Sequence, residues 1–324
     1  MTLSMTDVKN ESALTWTVGA GGLIGSAINR QSVNVFHTSA IPWADYEATL
    51  SALALQLNDF KAKSQSGPWA IIWAAGAATV ASSEAETTQE TLVLKGFLEL
   101  LKAAPPKGAG VFFLVSSAGG VFAGAVNPPF TETSEPNPIS PYGLAKLANE
   151  ELAQRILTEC CQVIIGRFSN IYGPGQKLDK LQGLISRLAL SAITKEPINI
   201  FVPLSTVRDY IYVDDAAAAA HAWINETRTR NATGSNTPNA SSVKIIAAGQ
   251  GTSIGQLIRV TQDVSHRKVP IAMGSHPSSA VQAADLRFIP STPAGVDLPV
   301  TSMPVGVKQV VDAILRQLQQ SEAK

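Results

Sequence analysis

Through the first half of the chain, short runs that are apolar at nearly every position alternate with longer stretches mixing apolar and polar residues at helical spacing. The apolar runs are LTWTV (14–18), VNVFH (33–37), WAIIWAA (69–75), GVFFLVSS (110–117) and CQVIIGRFS (161–169). The stretches between them predict a helix after a glycine-rich turn near 19–25, then helices over about 44–64, about 84–104 and from about 142 onward. Strands this short and this uniformly apolar are buried on both faces, as in a parallel sheet covered by helices on each side. The fold class is therefore α/β, doubly wound.

After about residue 173 the pattern changes. GPGQKLDKLQGLISRLALSAI reads as a loop and a helix, PINIFVP (197–203) as a short strand, and RDYIYVDDAAAAAHAWI (208–224) as a strand running into an Ala-rich helix. Residues 225–242 read as a polar loop, followed by a strand over 243–249 and a helix over 253–264. Pieces of a small second unit, capping the strand ends of the first, fit this order.

Composition narrows the functional classes. The chain has 324 residues, 45% hydrophobic and 15% charged, enough to bury one large unit and one small one. Lys+Arg and Asp+Glu are 25 each, and no basic block or basic–aromatic stripe occurs, which argues against nucleic acid as a partner. Anionic small molecules are compatible with this balance. The N-terminal MTLSMTDVKNESAL has no apolar segment of the kind a secretion signal carries. The longest apolar run, 69–81, is shorter than the roughly 20 residues a membrane helix needs. Cys160 and Cys161 are adjacent and poorly placed to pair, which points to reduced thiols and a cytoplasmic setting. In that setting the N-x-[ST] triplets at Asn225, Asn231 and Asn239 are compositional accidents. His37, His221, His266 and His276 show no metal-ligand spacing, so no metal site is expected.

Two local patterns carry chemistry. TVGAGGLIGSAI places Gly19, Gly22 and Gly25 directly after the first strand and at the opening of a helix. Glycines there allow a tight turn and close approach to a pyrophosphate seated on the helix N-terminus, the arrangement of Rossmann-type dinucleotide sites. A merely flexible turn would have a similar composition, but the strand–turn–helix context points to a dinucleotide. Tyr142 and Lys146 lie four apart at the start of a predicted helix and so share a face. A positive charge beside a phenol favours its ionised form, which makes such a phenol usable as an acid/base group near neutrality. An ordinary surface pair has the same spacing; the dinucleotide turn upstream favours the catalytic reading.

With these motifs in place, the chain resembles the extended short-chain dehydrogenases/reductases, the sugar-nucleotide epimerase/dehydratase group. GAGGLIGS is similar to the family's cofactor turn, IIWAAGAA to its nicotinamide-side strand end, FFLVSSAGGVFAG to the strand bearing the catalytic hydroxyl, and SPYGLAK to its Tyr-x-x-x-Lys motif. GRFSNIYGPGQ and VRDYIYVDDAA are more specific, belonging to the extended members. The resemblance spans nearly the whole chain, although QAADLRFIPSTPAG lacks the usual closing pattern.

The resemblance implies a dinucleotide-binding domain over 1–173, with a later strand returning from about 205–224, and a discontinuous, mainly substrate-binding domain over 174–324. It implies that Gly19, Gly22, Leu23, Ile24, Gly25, His37, Ala74 and Ala75 bind NAD or NADP together with Tyr142 and Lys146. His37, Thr38 and Ser39 stand where an acidic ribose ligand is usual, which leaves the choice of dinucleotide open. Tyr142 would be the acid/base, Lys146 would hold the nicotinamide ribose, and Ser117, or Ser116 behind it, would contact the reacting oxygen. Asn170 and Arg208 would bind a sugar nucleotide, although Arg208 could instead simply pair with Asp209. Ala118 fills a slot that is often a hydroxyl, Phe122 replaces a usual Tyr, and Ala123 is an insertion. The Asp–Glu pair that 4,6-dehydratases place after the hydroxyl is absent, so dehydration is disfavoured.

The function implied is that of an NAD(P)-dependent epimerase acting through a transient keto-sugar. A reductase or dehydrogenase of a keto-sugar nucleotide or another carbonyl would use the same residues, and a non-catalytic dinucleotide sensor is the reading from a different class. The helices at about 84–104 and 142–159 would pair across a homodimer, since TLVLKGFLELLKAA has two apolar faces.

Overall fold

The computed structural model describes residues 12–177, 183–232, 240–274 and 283–322. The N-terminal stretch read for a signal, His276, and residues 233–239 of the expected polar loop, Asn239 included, lie outside the described residues.

The first half runs β1 (Leu14–Val18), α1 (Leu23–Gln31), α2 (Tyr46–Ser64), β2 (Trp69–Trp73), α3 (Glu84–Ala103), β3 (Gly110–Ser117), the short α4 (Ala118–Val121), α5 (Pro141–Leu157) and β4 (Gln162–Phe168). The strands pair in parallel in the order β1-β2-β3-β4. Their uniform apolarity has a direct cause. Trp69, Ile71 and Trp73 of β2 enter one core with Leu53, Phe60 and Phe97 of α2 and α3, while Ala70 and Ile72 enter a second core on the opposite face. The alternation of a strand thus serves two apolar layers. Helix starts follow their capping residues: Asp45 accepts from the Ala48 N–H at 2.7 Å, and Ser140 accepts from the Gly143 N–H with Pro141 in the first turn.

The expected strand at 33–37 shrinks to one rung. Val35 bridges Thr15, through Thr15 N–H to Asn34 O and Phe36 N–H to Thr15 O, each 2.8 Å. Val33 is exposed, and Phe36 turns inward against Trp16 and Phe60, so the run lacks the two-faced burial of its neighbours.

The second half comprises β5 (Asn170–Tyr172), α6 (Leu184–Thr194), β6 (Ile198–Ile200), β7 (Val207–Tyr212), α7 (Val213–Ala232), β8 (Ser241–Ile246), β9 (Gly251–Ser253), α8 (Ile254–Ser265), β10 (Ile271–Met273), β11 (Asp285–Leu286) and α9 (Met303–Glu322). β8 joins β4 in parallel and completes the five-stranded main sheet. The chain does return to that sheet, but through α7 and β8 and not through a strand within 205–224. β7 instead centres a small sheet ordered β11-β7-β5, with β9 antiparallel along β7. β6 and β10 form a separate parallel pair. The anticipated loop from 225 begins later, because α7 continues to Ala232 with a Glu226–Arg230 ion pair one turn apart at 3.6 Å. No Gly or Pro interrupts 225–232, so nothing there stops a helix. α9 places Val307, Val310, Val311 and Ile314 in the core that also takes α6 and α8. Their 3/4 spacing is that of a helix buried along one stripe.

Candidate active site

The carboxyl ends of β1, β2, β3 and β4 open into a cleft of ≈ 1030 Å³ that extends beneath α6 and β7. Ligands of open parallel sheets bind at this edge, where crossovers leave a crevice. Gly19, Gly22, Leu23 and Ile24 line it on one side, with Ala74 and Ala75 at the end of β2. α1 starts at Gly22 with no side-chain cap and no acidic residue in its first turn. Its first N–H groups are left for an external acceptor, which suits a pyrophosphate. Gly25 does not line the cleft. A Cβ there would sit 2.2 Å from the Gly19 carbonyl oxygen, so its absence is what lets α1 close on the turn.

Tyr142 and Lys146 project from the start of α5 into the same cleft, with the Lys146 ammonium 5.5 Å from the Tyr142 ring centre. The Tyr142 ring lies against Gly120, where a Cβ would come within 3.0 Å of it. Ser117 ends β3 and caps α4, its oxygen accepting from the Gly120 N–H at 3.1 Å. That bond occupies a lone pair and leaves the hydroxyl proton for another acceptor. Ser116 is differently employed: it is buried and donates to Glu150 at 2.5 Å. Ala118 and Phe122 are fully buried, Phe122 stacked on Phe130 with ring centres 5.1 Å apart. Both departures from the family pattern are therefore filled by core packing.

Glu150 in turn accepts two bonds from Arg167 Nε at 3.1 Å and one from its terminal nitrogen at 2.7 Å. This buried pair ties α5 to β4, and through Ser116 to β3, directly behind Tyr142, Lys146 and Ser117. Glu90 of α3 accepts from the Ala77 and Ala78 N–H groups at 2.5 and 2.7 Å and so holds the segment after β2.

At the far end Arg208 lines the cleft although it is 8% exposed. It donates to the Val207 carbonyl at 2.9 Å, and burial pushes its pKa down. It is not paired with Asp209, whose carboxylate points the other way and accepts from Ser169 Oγ, Ala248 N–H and Gln250 N–H at 2.6, 2.9 and 3.0 Å. Asp285 is bonded instead by Arg287, at 2.8 Å. A desolvated guanidinium with no carboxylate within ion-pair distance among the described residues is suited to an anionic ligand. Asn170 lines the cleft with its amide donated to the Asp209 carbonyl at 2.8 Å. Of the other cleft phenols, burial pushes Tyr210 up to about 12 and raises Tyr172 too, so both stay neutral near pH 7.

His37 is exposed and, with Thr38 and Ser39, is not among the lining residues; Ser39 instead accepts from Gln56 of α2. Sequence reasoning missed Trp43, Glu90, Lys177 and Arg187, all of which line the cleft. Among its described lining residues the charged groups are Lys146, Lys177, Arg187, Arg208 and Glu90, a balance favouring a ligand with several negative charges. His221 is half-buried and its Nε2–H donates to the Ile28 carbonyl at 2.9 Å, a structural role. No group of three or more His, Cys, Asp or Glu among the described residues is arranged to hold a metal. No helix among them is long and apolar enough to cross a membrane.

A parallel sheet with an uncapped helix at its carboxyl edge, and a Tyr–Lys pair facing that helix, defines a dinucleotide-fold protein of the Tyr-x-x-x-Lys class. The sequence profile described as the NAD dependent epimerase/dehydratase family matches residues 17–234, and the chain belongs to that family. It is 32% identical over 135 residues to a dTDP-L-rhamnose 4-epimerase of Burkholderia thailandensis, covering 41% of this chain and 34% of the relative. It is 36% identical over 108 residues to a dTDP-4-dehydro-6-deoxyglucose reductase of Escherichia coli, covering 33% of this chain and 34% of that enzyme. These matches span about a third of the curated relatives' length. In fold, the chain is similar to the Bacillus cereus UDP-glucuronic acid 4-epimerase solved with UDP-glucuronic acid and NAD, with TM-score 0.71 and 20% identity, covering 94% of this chain and 99% of that one.

Proposed function

We propose that the protein is an NAD-dependent epimerase of a sugar nucleotide. The observation that carries this reading is the convergence of Tyr142, Lys146 and Ser117 on a cleft with an uncapped helix N-terminus at one end and Arg208 at the other. NAD fits the residues present: the first N–H groups of α1 would take its pyrophosphate, Gly19, Gly22, Leu23 and Ile24 would lie along it, and Lys146 would hold the nicotinamide ribose. Bound NAD would supply the hydride acceptor and, on the return step, the donor.

The chain's own part is to move a proton and hold the sugar. Tyr142 takes the proton of the reacting hydroxyl as the carbonyl forms, and gives it back when the carbonyl is reduced from its other face. Ser117 donates its free proton to the same oxygen and steadies the charge that develops there. Arg208 and Asn170, with Lys177 and Arg187, would anchor the nucleotide diphosphate while the keto-sugar turns over. Ala118, Gly119 and Gly120 supply no carboxylate beside Ser117, which weighs against elimination of water.

A reductase of a keto-sugar nucleotide is the second reading, favoured by the similarity to the Escherichia coli reductase. We take the protein to be cytoplasmic and a homodimer. The outer faces of α3 and α5 would meet across the dimer, where Leu92 and Leu144 are 44% and 57% exposed; light scattering at the monomer mass would dispose of that pairing.

The test of function combines cofactor identity with turnover. Denaturing the purified protein and weighing what it releases distinguishes the readings: retained NAD supports an epimerase, whereas an empty protein that consumes NADPH with a keto-sugar nucleotide supports a reductase. With UDP- and dTDP-hexoses, Tyr142→Phe should lower turnover by roughly 10²–10⁴-fold. Unchanged turnover would remove Tyr142 from the chemistry.

A further inference from the structure

The dinucleotide fold needs something to hold the adenosine half, and the residues expected for it, His37 to Ser39, do not line the cleft. Among residues 37–45 the cleft is lined by Trp43 alone, and its ring neighbour Trp73 is the cross-strand partner of Val18, the residue before Gly19. Trp43 is 45% exposed, an unusual state for so large an apolar side chain in a concave site. The segment that carries it is fixed. Thr49 of α2 donates to the Pro42 carbonyl at 2.8 Å, the Trp43 N–H bonds Ile41 O at 3.0 Å, and the Asp45 N–H bonds Pro42 O at 3.2 Å. One edge of the indole is supported by Trp73, at right angles with ring centres 6.4 Å apart, and Trp73 is itself packed on Phe97. The carboxylate nearest in sequence, Asp45, is committed to capping α2.

We propose that Trp43 stacks on the adenine base of the dinucleotide, so that an aromatic contact, and not a carboxylate on the ribose hydroxyls, holds the adenosine half. This rests on the NAD reading above. With the nicotinamide end at Tyr142 and Lys146 and the pyrophosphate on α1, the other half of the dinucleotide reaches past Gly21 to Trp43. A stacked base is sensed through its face, so the contact does not read the ribose 2′ position. Trp43 should therefore contribute equally to NAD, NADP and AMP.

The other tryptophans allow a test without any variant. Trp16, Trp69, Trp73 and Trp223 are all buried, so acrylamide quenching of the free protein reports mainly on Trp43. On charcoal-stripped protein, saturating NAD or AMP should remove most of the accessible quenching. Calorimetric titration of Trp43→Leu should weaken NAD, NADP and AMP by the same factor, roughly tenfold, and Trp43→Phe should restore most of it. Binding by the wild type with unchanged quenching, or a Trp43→Leu variant that loses affinity for one dinucleotide only, would overturn the stacking role while leaving the dinucleotide site standing. A wild type that binds none of the three overturns both.

Discussion

Removing either member of the Glu150–Arg167 pair should be among the most destabilising single changes available in this chain. The two side chains are 3% and 6% exposed and share three bonds between 2.7 and 3.1 Å. Ser116 adds a fourth bond to the carboxylate, and Phe122 lies under the guanidinium at 5.1 Å. Glu150→Gln or Arg167→Met leaves one buried charge uncompensated, at about 3–5 kcal/mol. Glu150→Gln also weakens the acceptor of the Ser116 hydroxyl, adding about 1 kcal/mol. A domain has only about 5–15 kcal/mol in total, so each single variant should lose a large part of its cooperative unfolding transition. The double variant Glu150→Leu/Arg167→Met removes both charges together and should lie within about 1–2 kcal/mol of wild type, since buried pairs are often replaceable by apolar side chains. Urea unfolding followed by far-UV circular dichroism compares the two single variants and the double variant with wild type. If each single change costs under about 1 kcal/mol, or if the double variant is as unstable as the sum of the singles, the assumption that desolvation dominates here is wrong.

Other changes should have effects of different kind. Gly143→Ala would place a Cβ 2.3 Å from the Gly120 carbonyl oxygen, forcing α4 from α5. It should cost about 1–3 kcal/mol and lower turnover too, because Gly120 supports the Tyr142 ring; a wild-type melting temperature would contradict this. Burial lowers the pKa of His221 in the folded protein, so the unfolded chain binds its proton more readily. Stability should therefore fall as the pH drops below about 6.5, and His221→Gln should flatten that slope in urea midpoints compared at about pH 7.5 and 5.5. For Glu132, burial raises the pKa but the bonds from Ser291 and Ile245 together outweigh it, leaving it low. Its stabilising contribution is complete above about pH 4.3 and is lost as the pH falls through the lowered folded value; acid titration of Glu132→Gln should show that acid-side loss removed.

The main sheet is legible in the sequence because each of its first strands is buried on both sides, which leaves an uninterrupted apolar run. VNVFH looks alike in composition, yet with Val33 in solvent it forms a single rung. The small sheet leaves almost no trace: β5, β9 and β11 are two or three residues long and exist because β7 offers them partners. The site divides in the same way. Tyr142 and Lys146 are tied by helical spacing, and Gly19, Gly22 and Gly25 by the geometry of one turn, so local rules suffice to single them out. Trp43, Glu90, Lys177 and Arg187 reach the cleft through tertiary placement from four separate segments, which no local spacing encodes. His37 misleads for the converse reason, since its place in the sequence order does not turn it toward the cleft.

The order in which the chain visits its two sheets limits how the protein can be divided. β5 leaves the main sheet for the small one, β7 follows there, and only afterwards does β8 return to lie against β4. A break at residue 173 would strip the main sheet of its last strand and of α7, and would leave β5 on the wrong side of the cut from β7. Neither fragment would hold the whole of the main sheet or of the sheet around β7, so the halves should behave as complementing pieces that regain structure only when mixed. The cleft then has walls stitched together by the backbone itself, and the apparent junction is a poor place for an inserted domain.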